Sequence, residues 1–201
     1  MKVREWRGIR DLIAAELKTD EKAGEMTYGE PFAVAGASGL TKDVESSSEA
    51  KFYDNVPAIV IDSVGADTVK VDVSAVDIDV LAKLTGQFYD EETGMLVEGE
   101  REEKYFAIGY ITEKTDGTEM FVWRLKGKFS IPSDTRKTKD NGTTSNGDQL
   151  TYTGINTTHK FTKTGKGAKA VIIDTEKNPL DEKEFFKTVQ NPDTVKKSLT
   201  A

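Results

Sequence analysis

Short runs of alternating apolar and polar residues recur along the chain, and they constrain the fold more than any other feature. The valines at positions 69, 71 and 73 alternate with polar residues, which is the period of a half-buried β-strand. A second alternating run, 119–131, follows the turn-prone pair Asp116-Gly117, so a β-hairpin is predicted there. A third apolar run, 58–61, is short enough for a strand. The sequence therefore predicts a mainly β fold.

In the run 119–131 the two faces of the strand are expected to differ. The large apolar side chains should face the core and the basic ones the solvent: Phe121, Trp123 and Leu125 against Arg124, Lys126 and Lys128.

Two helices are predicted between these strands. Asp77 can act as an N-cap before an apolar stripe, and Gly86 suits the left-handed position after its end, so a helix is expected at about 77–85. A second short helix is expected around 181–189, whereas residues 9–18 fit both a helical and a strand period. A β-sandwich or β-barrel with a helix packed on its side accommodates these elements.

Composition excludes several classes of protein. The 201 residues include 35 acidic and 28 basic side chains, for a net charge of −7, which disfavours nucleic-acid binding. The absence of cysteine removes thiolate sites, and a single histidine, His159, cannot build a His-rich zinc site. No apolar run is long enough for a transmembrane helix or a signal peptide. No membrane association and no cofactor are expected.

The motifs that resemble chemical sites favour ordinary structural roles. Gly165-Lys166-Gly167 lacks the spacing of a phosphate-binding loop. Asp72, Asp77 and Asp79 do not fit the register of a calcium loop, so we expect a solvent-facing strand residue at Asp72 and a helix cap at Asp77.

Charge is segregated along the chain. Segment 90–103 holds seven acids and one base, whereas 124–139 holds six bases and one acid, and 156–169 holds four lysines without an acid. Two interpretations remain open: these segments meet between copies that dock head-to-tail, or folding pairs them within one subunit. The candidate inter-subunit residues are Glu100, Glu102, Glu103, Arg124, Lys126, Lys128, Arg136, Lys137 and Lys139.

Five segments in order resemble a known family: 49–58 (EAKFYDNVPA), 81–86 (LAKLTG), 101–110 (REEKYFAIGY), 121–129 (FVWRLKGKF) and 150–154 (LTYTG). Together they are similar to the major tail protein, or tail tube protein, of the long non-contractile tails of siphophages and prophages of Gram-positive bacteria. The resemblance runs from about residue 6 to about residue 190. No single motif is specific, and the match depends on order and spacing.

This resemblance implies a phage tail-tube fold, which is a β-sandwich with a flanking α-helix and is α+β by content. It implies a single domain, with an N-terminal arm at 1–8, a core at about 9–163 and a C-terminal extension at about 164–201. It also implies that residues 9–18 form a strand. The polar segments 40–55 and 133–148 are expected to order only between subunits.

The resemblance further implies a structural, non-enzymatic virion protein. Six copies would form a ring, and stacked rings would form a tube through which genomic DNA passes without specific binding. The other partners would be the tape measure, tail terminator and distal tail proteins, and the tail would assemble in the host bacterial cytoplasm. By analogy with related tubes, the candidate lumen acids are Asp43, Glu45, Glu49, Glu113 and Glu119.

Two alternatives belong to other classes of protein. An immunoglobulin-like or carbohydrate-binding β domain of a bacterial surface protein would favour a signal peptide and an exposed aromatic platform. A hydrolase would need two carboxylates at a fixed separation in a cleft, whereas the acids of 90–103 lie in a glycine-containing loop.

Overall fold

The computed structural model describes residues 2–133 and 147–198, which form eleven strands and two helices. In chain order these are β1 (Trp6–Asp20), β2 (Met26–Tyr28), β3 (Phe32–Ala35), β4 (Ala37–Tyr53), β5 (Val56–Val73), α1 (Ile78–Thr85), β6 (Phe88–Asp90), β7 (Met95–Val97), β8 (Phe106–Lys114), β9 (Glu119–Phe129), β10 (Asp148–Gly154), β11 (Ala170–Asp174) and α2 (Glu182–Lys187).

Nine of these strands form one antiparallel sheet, so the predicted mainly β fold is confirmed. The strand order is β2-β1-β8-β9-β10-β5-β4, with β3 also paired to β1 and β11 also paired to β9. Strands β6 and β7 form a separate hairpin. The strand implied for residues 9–18 is confirmed, because they lie within β1.

Two apolar cores lie on opposite faces of this sheet. The first is enclosed where the sheet curls, and it packs Val69, Phe106 and Tyr152 against Leu84 of α1. The second lies on the other face of β8 and β9, where α2 supplies Phe185. Helix α2 and β11 therefore join the C-terminal part of the chain to the core of the fold.

The structure confirms the predicted inward face of β9 and corrects its predicted outward face. Phe121, Trp123 and Leu125 are buried in the second core, as predicted. Arg124 was expected to face solvent, but only 5% of its surface is exposed. The sequence prediction assumed one covered face, whereas β9 is covered on both.

Both predicted helices and the predicted hairpin are confirmed. Helix α1 begins after Asp77, and its C-cap Gly86 has φ 75°, the left-handed conformation that glycine adopts most easily. The Asp77 side chain makes no capping hydrogen bond. In α2, by contrast, the Asp181 carboxylate accepts a hydrogen bond from the Glu184 amide at 3.0 Å. The turn between β8 and β9 has Gly117 at φ 81°.

A buried ion cluster fixes β5 to the middle of the sheet. Arg124 Nη1 donates to Asp67 Oδ2 at 3.0 Å, and its Nε donates to the Tyr110 hydroxyl at 3.1 Å. Lys169 Nζ donates to Asp67 Oδ1 at 2.8 Å and also to the Gly65 carbonyl. Asp67 of β5 thus pairs with one cation from β9 and with another from the connector that precedes β11.

The ion cluster also sets the pKa of the Asp67 carboxyl. Desolvation raises this pKa, but the hydrogen bond from Lys169 and the charges of Lys169, Arg124 and Lys42 outweigh desolvation. The net result is a pKa below the ordinary value for aspartate. The charged form of Asp67 therefore stabilises the folded state.

We predict that Asp67→Ala lowers the free energy of unfolding at pH 7 by about 3 kcal/mol, because it leaves the buried Arg124 and the partly buried Lys169 without their anion. Urea denaturation of the monomer measures this change. Asp62→Ala is the matched control: it removes an exposed aspartate from the same strand and should change stability by less than about 0.5 kcal/mol.

Wild type and Asp67→Ala also test how the contribution of Asp67 to stability depends on pH. A depressed folded-state pKa stabilises the protein above the unfolded value of about 3.9, and this contribution is lost as pH falls through the folded pKa. The stability difference between wild type and Asp67→Ala should therefore be constant near neutral pH and shrink below about pH 4. A difference that grows on acidification would contradict the assigned ion cluster.

Candidate assembly surfaces

The hairpin formed by β4 and β5 extends beyond the rest of the sheet. The last pair between β5 and β10 is Asp67 with Gly154. Beyond it, residues 44–66, which we call the arm, pair only within the hairpin. Nine residue steps of about 3.3 Å separate Val44 from Tyr53, so the arm projects by roughly 30 Å. At its tip, Asp54 and Asn55 have φ 51° and 63°, as a tight two-residue hairpin turn requires.

The arm corrects one expectation for the polar segment 40–55. Residues 40–53 lie in β4 and pair with β5, so this segment forms a hairpin. The expectation that this segment orders only between subunits is wrong, because β5 of the same chain supplies its partner strand. The other segment, 133–148, lies almost entirely outside the described residues.

The arm exposes an unusual amount of apolar surface. Its large apolar side chains are between 40% and 64% exposed: Val44, Phe52, Tyr53, Val56, Ile59, Val60, Ile61 and Val64. Most belong to β5, where neighbouring apolar residues point to both faces, as in a strand that is covered on both sides. A two-stranded hairpin is only marginally stable in water, and a contiguous exposed apolar surface marks an interaction site. The arm is therefore suited to burial by a partner.

The edges of the sheet provide a second assembly surface. Among the described residues, β4 has no neighbouring strand on its outer side, and the arm segment 56–66 of β5 has none opposite β4. Their unpaired N–H and C=O groups form a template for another strand. A second copy of the sheet could extend this edge.

A polar face covers β10, β5 and β4 on the side away from the first core. The register aligns Thr41, Lys70 and Thr151 in one row and Asp43, Thr68 and Thr153 in the next. The second core, to which α2 contributes, covers the same side of the sheet at β1, β8 and β9 and includes no residue of β10, β5 or β4. The polar face is therefore open, with hydroxyl groups and nearly balanced charge.

The five candidate lumen acids lie in two places. Asp43 is on the polar face, and Glu45 and Glu49 follow it along β4 into the arm. Glu113 and Glu119 lie opposite each other on β8 and β9. Their charges are partly compensated, since Arg7 is 3.8 Å from Glu113 and Arg10 is 2.7 Å from Glu119.

The candidate inter-subunit charges divide into those paired within the chain and those left exposed. Four intrachain pairs involve them: Arg124 with Asp67 at 3.0 Å, Lys126 with Asp20 at 2.6 Å, Lys128 with Glu103 at 2.6 Å, and Lys104 with Glu102 at 3.0 Å. The hydrogen bond from Lys128 lowers the pKa of Glu103. Only 5% of the surface of Arg124 is exposed, and its guanidinium group is already paired with Asp67. Arg136, Lys137 and Lys139 lie outside the described residues.

The exposed charges still allow contacts between subunits. Glu100 is exposed beside the β6–β7 hairpin, and Lys160, Lys163 and Lys166 are exposed before β11. Glu103 and Lys128 belong to the acidic segment 90–103 and the basic segment 124–139. Their contact shows that folding pairs these two residues within one subunit. A contact of Glu100 with the lysines of another copy stays a prediction.

The described residues show no arrangement typical of a metal centre or a membrane span. No group of three or more His, Cys, Asp or Glu side chains within 2–133 and 147–198 could hold a metal ion. No helix in this part of the chain is long and apolar enough to cross a membrane. Asp72 is instead an exposed strand residue that accepts a hydrogen bond from Gln149 at 2.7 Å.

Two features of these surfaces are missed by sequence reasoning. The ion cluster around Asp67 joins residues that are far apart in sequence, and no local pattern signals it. The arm does carry a signal, because the run 58–61 is continuously apolar although its partner strand is polar. That contrast indicates a strand whose burial requires something other than its own hairpin.

Comparison with known proteins identifies the family of this chain. None of the curated proteins searched matches the chain. The family model described as phage tail tube protein matches residues 42–192, which include the arm, most residues of both cores and α2. This match spans well over half of the 201 residues. The chain therefore belongs to the phage tail tube protein family.

Proposed function

We propose that this chain is the repeating subunit of a siphophage tail tube, in which six copies form a ring and stacked rings conduct the genome during ejection. Family membership supports a structural protein of the phage tail. The observation that supports assembly into rings and a tube is the arm. Its apolar strand is exposed to water in the isolated subunit. A tube is an assembly in which every copy buries such a surface against the next.

Ring closure follows from the free edges of the sheet. Strand β4 ends the sheet on one side, and β2 with β3 ends it on the other. Joining unlike edges of neighbouring copies is a head-to-tail contact, and such contacts close into rings when the rotation between copies permits. The same contact removes the exposed edge that would otherwise promote aggregation.

The polar face and the start of the arm are the proposed channel wall. Asp43, Glu45 and Glu49 would place negative charge there, while Lys70 reduces its net effect. A wall of this kind repels phosphates at short range, whereas a basic wall would bind them. Glu113 and Glu119 remain candidates for the wall, although their neighbouring arginines weaken their repulsion.

The remaining partners follow from the same proposal. The tube would contact the tape measure, tail terminator and distal tail proteins in the virion tail of a phage or prophage of a Gram-positive host. Assembly would occur in the host cytoplasm, and the absence of cysteine suits that reducing compartment. No catalytic step and no cofactor enter this function.

The first test of this function removes the arm. We predict that purified wild-type protein at high concentration forms tubes of uniform width in negative-stain microscopy. A variant with Asn-Gly in place of residues 46–64 should remain a folded monomer and form none, because the cores and the Asp67 cluster lie outside the deletion. Its urea midpoint is the control for folding. Normal tubes from this variant would contradict the role of the arm.

The second test concerns the channel wall. Tubes of the triple variant Asp43→Lys, Glu45→Lys and Glu49→Lys should retain fluorescent double-stranded DNA at about 0.01 M salt, where the Debye length is about 30 Å. Wild-type tubes should not retain it, because their wall repels phosphates.

The matched control for this wall variant is Glu91→Lys, Glu92→Lys and Glu98→Lys, which changes the net charge equally in and beside the β6–β7 hairpin. These control tubes should retain much less DNA than the wall variant. Equal retention by the two variants would show that the polar face is not the channel wall.

The third test concerns exposed charge between copies. Glu100→Lys should slow tube formation at low ionic strength, because it would place like charge against Lys160, Lys163 and Lys166 of a neighbour. The difference from wild type should disappear near 1 M salt, where the Debye length is about 3 Å. Light scattering during assembly measures both rates. An effect of Glu100→Lys that does not change with salt would contradict an electrostatic contact.

A further inference from the structure

We propose that the tip of the arm docks in a specific groove of another copy, at the open mouth of the first core. This inference rests on the proposed tube and names the surface that receives the arm. The groove lies between β4 and the strands β1, β8, β9 and β11, and its volume is about 540 Å³. Its apolar lining consists of Trp6, Ile9, Leu40, Met120, Val122 and Ile172.

The groove is an apolar surface that the subunit leaves open. At its rim, Trp6 is 64% exposed and Ile172 is 55% exposed. At its base, Arg124 and Tyr110 already satisfy each other at 3.1 Å. An occupant therefore gains from burying apolar surface and need not supply polar partners at the base.

The tip of the arm has the complementary chemistry. Phe52, Tyr53 and Val56 surround the turn, and each is between 61% and 64% exposed. The turn also carries Asp54, and the rim of the groove carries the exposed Lys42. Two aromatic side chains with one carboxylate thus match an apolar groove with one cation at its rim.

The tip that docks in the groove comes from another copy of the chain, because a subunit's own tip cannot reach it. Leu40 and Lys42 of β4 form one wall of the groove, so the groove lies at the foot of the arm. The tip is roughly 30 Å further along the same hairpin, and the β4–β5 pairing, which has two irregularities but extends to Tyr53 and Val56, prevents it from folding back. The tip and the groove of one subunit can therefore not meet.

A contact between unlike surfaces has a defined consequence for assembly. Because the tip is on one surface and the groove on another, a pair docked head-to-tail still offers one free groove and one free tip. In that arrangement the contact propagates from copy to copy, whereas reciprocal docking about a two-fold axis would stop at a dimer. The roughly 30 Å projection lets it connect copies that are not in contact through their sheet edges.

Cysteine cross-linking tests this docking directly, because the chain has no native cysteine. Tyr53→Cys protein is mixed with Ile172→Cys protein under assembly conditions and oxidised, and the disulfide-linked heterodimer is quantified by non-reducing electrophoresis. The matched control replaces Ile172→Cys with Ile131→Cys, since Ile131 is similarly exposed at 53% but is not among the groove residues.

We expect the Tyr53→Cys and Ile172→Cys pair to cross-link about tenfold faster than the control pair, because docking raises the local concentration of one thiol at the other. Equal rates in assembled tubes would overturn the groove contact and leave the proposed tube intact. If the proteins formed neither oligomers nor cross-links, the result would contradict the proposed tube as well. Preferential cross-linking to Ile131→Cys would identify a different receiving surface and also overturn the proposal.

A charge placed at the rim gives a second measurement. Ile172→Lys should raise the concentration needed for tube formation by about tenfold or more, as expected from losing burial of one large apolar side chain. Ile131→Lys, which adds the same charge at similar exposure, should leave it nearly unchanged. Unchanged assembly of Ile172→Lys with a normal urea midpoint would overturn the proposal.

Discussion

The exposure of an apolar strand in water is the constraint on which this structure depends. Strand β5 is secured over 67–73, where β10 and β4 flank it and the first core covers Val69, Val71 and Val73. Over 56–64 it has only the polar β4 beside it, and its apolar side chains remain exposed. Burial of such surface is the main driving force for association. The subunit is therefore stable at its centre and incomplete at its arm.

The ion cluster around Asp67 lies at the boundary between these two regions. It fixes the foot of the arm to β9 and to the connector that holds Lys169. A buried ion pair contributes little net stability compared with an apolar replacement, so the main contribution of this cluster is one of position. It restricts the direction in which the arm leaves the sheet, which lowers the entropy cost when another copy binds it.

Local patterns in the sequence predict the fold well, and they predict the surfaces less well. The alternation at 69–73, the turn at Asp116-Gly117 and the capping glycine Gly86 identify β5, the β8–β9 hairpin and α1 because each depends on neighbouring residues only. The outward prediction for Arg124 fails because α2, which is distant in sequence, covers the opposite face of β9 and leaves Arg124 on the side of the first core. The intrachain partners of the candidate charges depend on distant residues in the same way, since Lys126 and Lys128 pair with acids 106 and 25 residues away.

Hydrogen exchange of the arm measures the central claim most directly. In dilute monomer the backbone amides of 46–64 should exchange far faster than those of β8 and β9, because a lone hairpin opens readily. In assembled protein the same amides should become protected, while those of β8 and β9 change little. Exchange in 46–64 that remains equally fast after assembly would show that the arm is not buried between copies, and it would contradict the role of the arm as the surface that drives assembly.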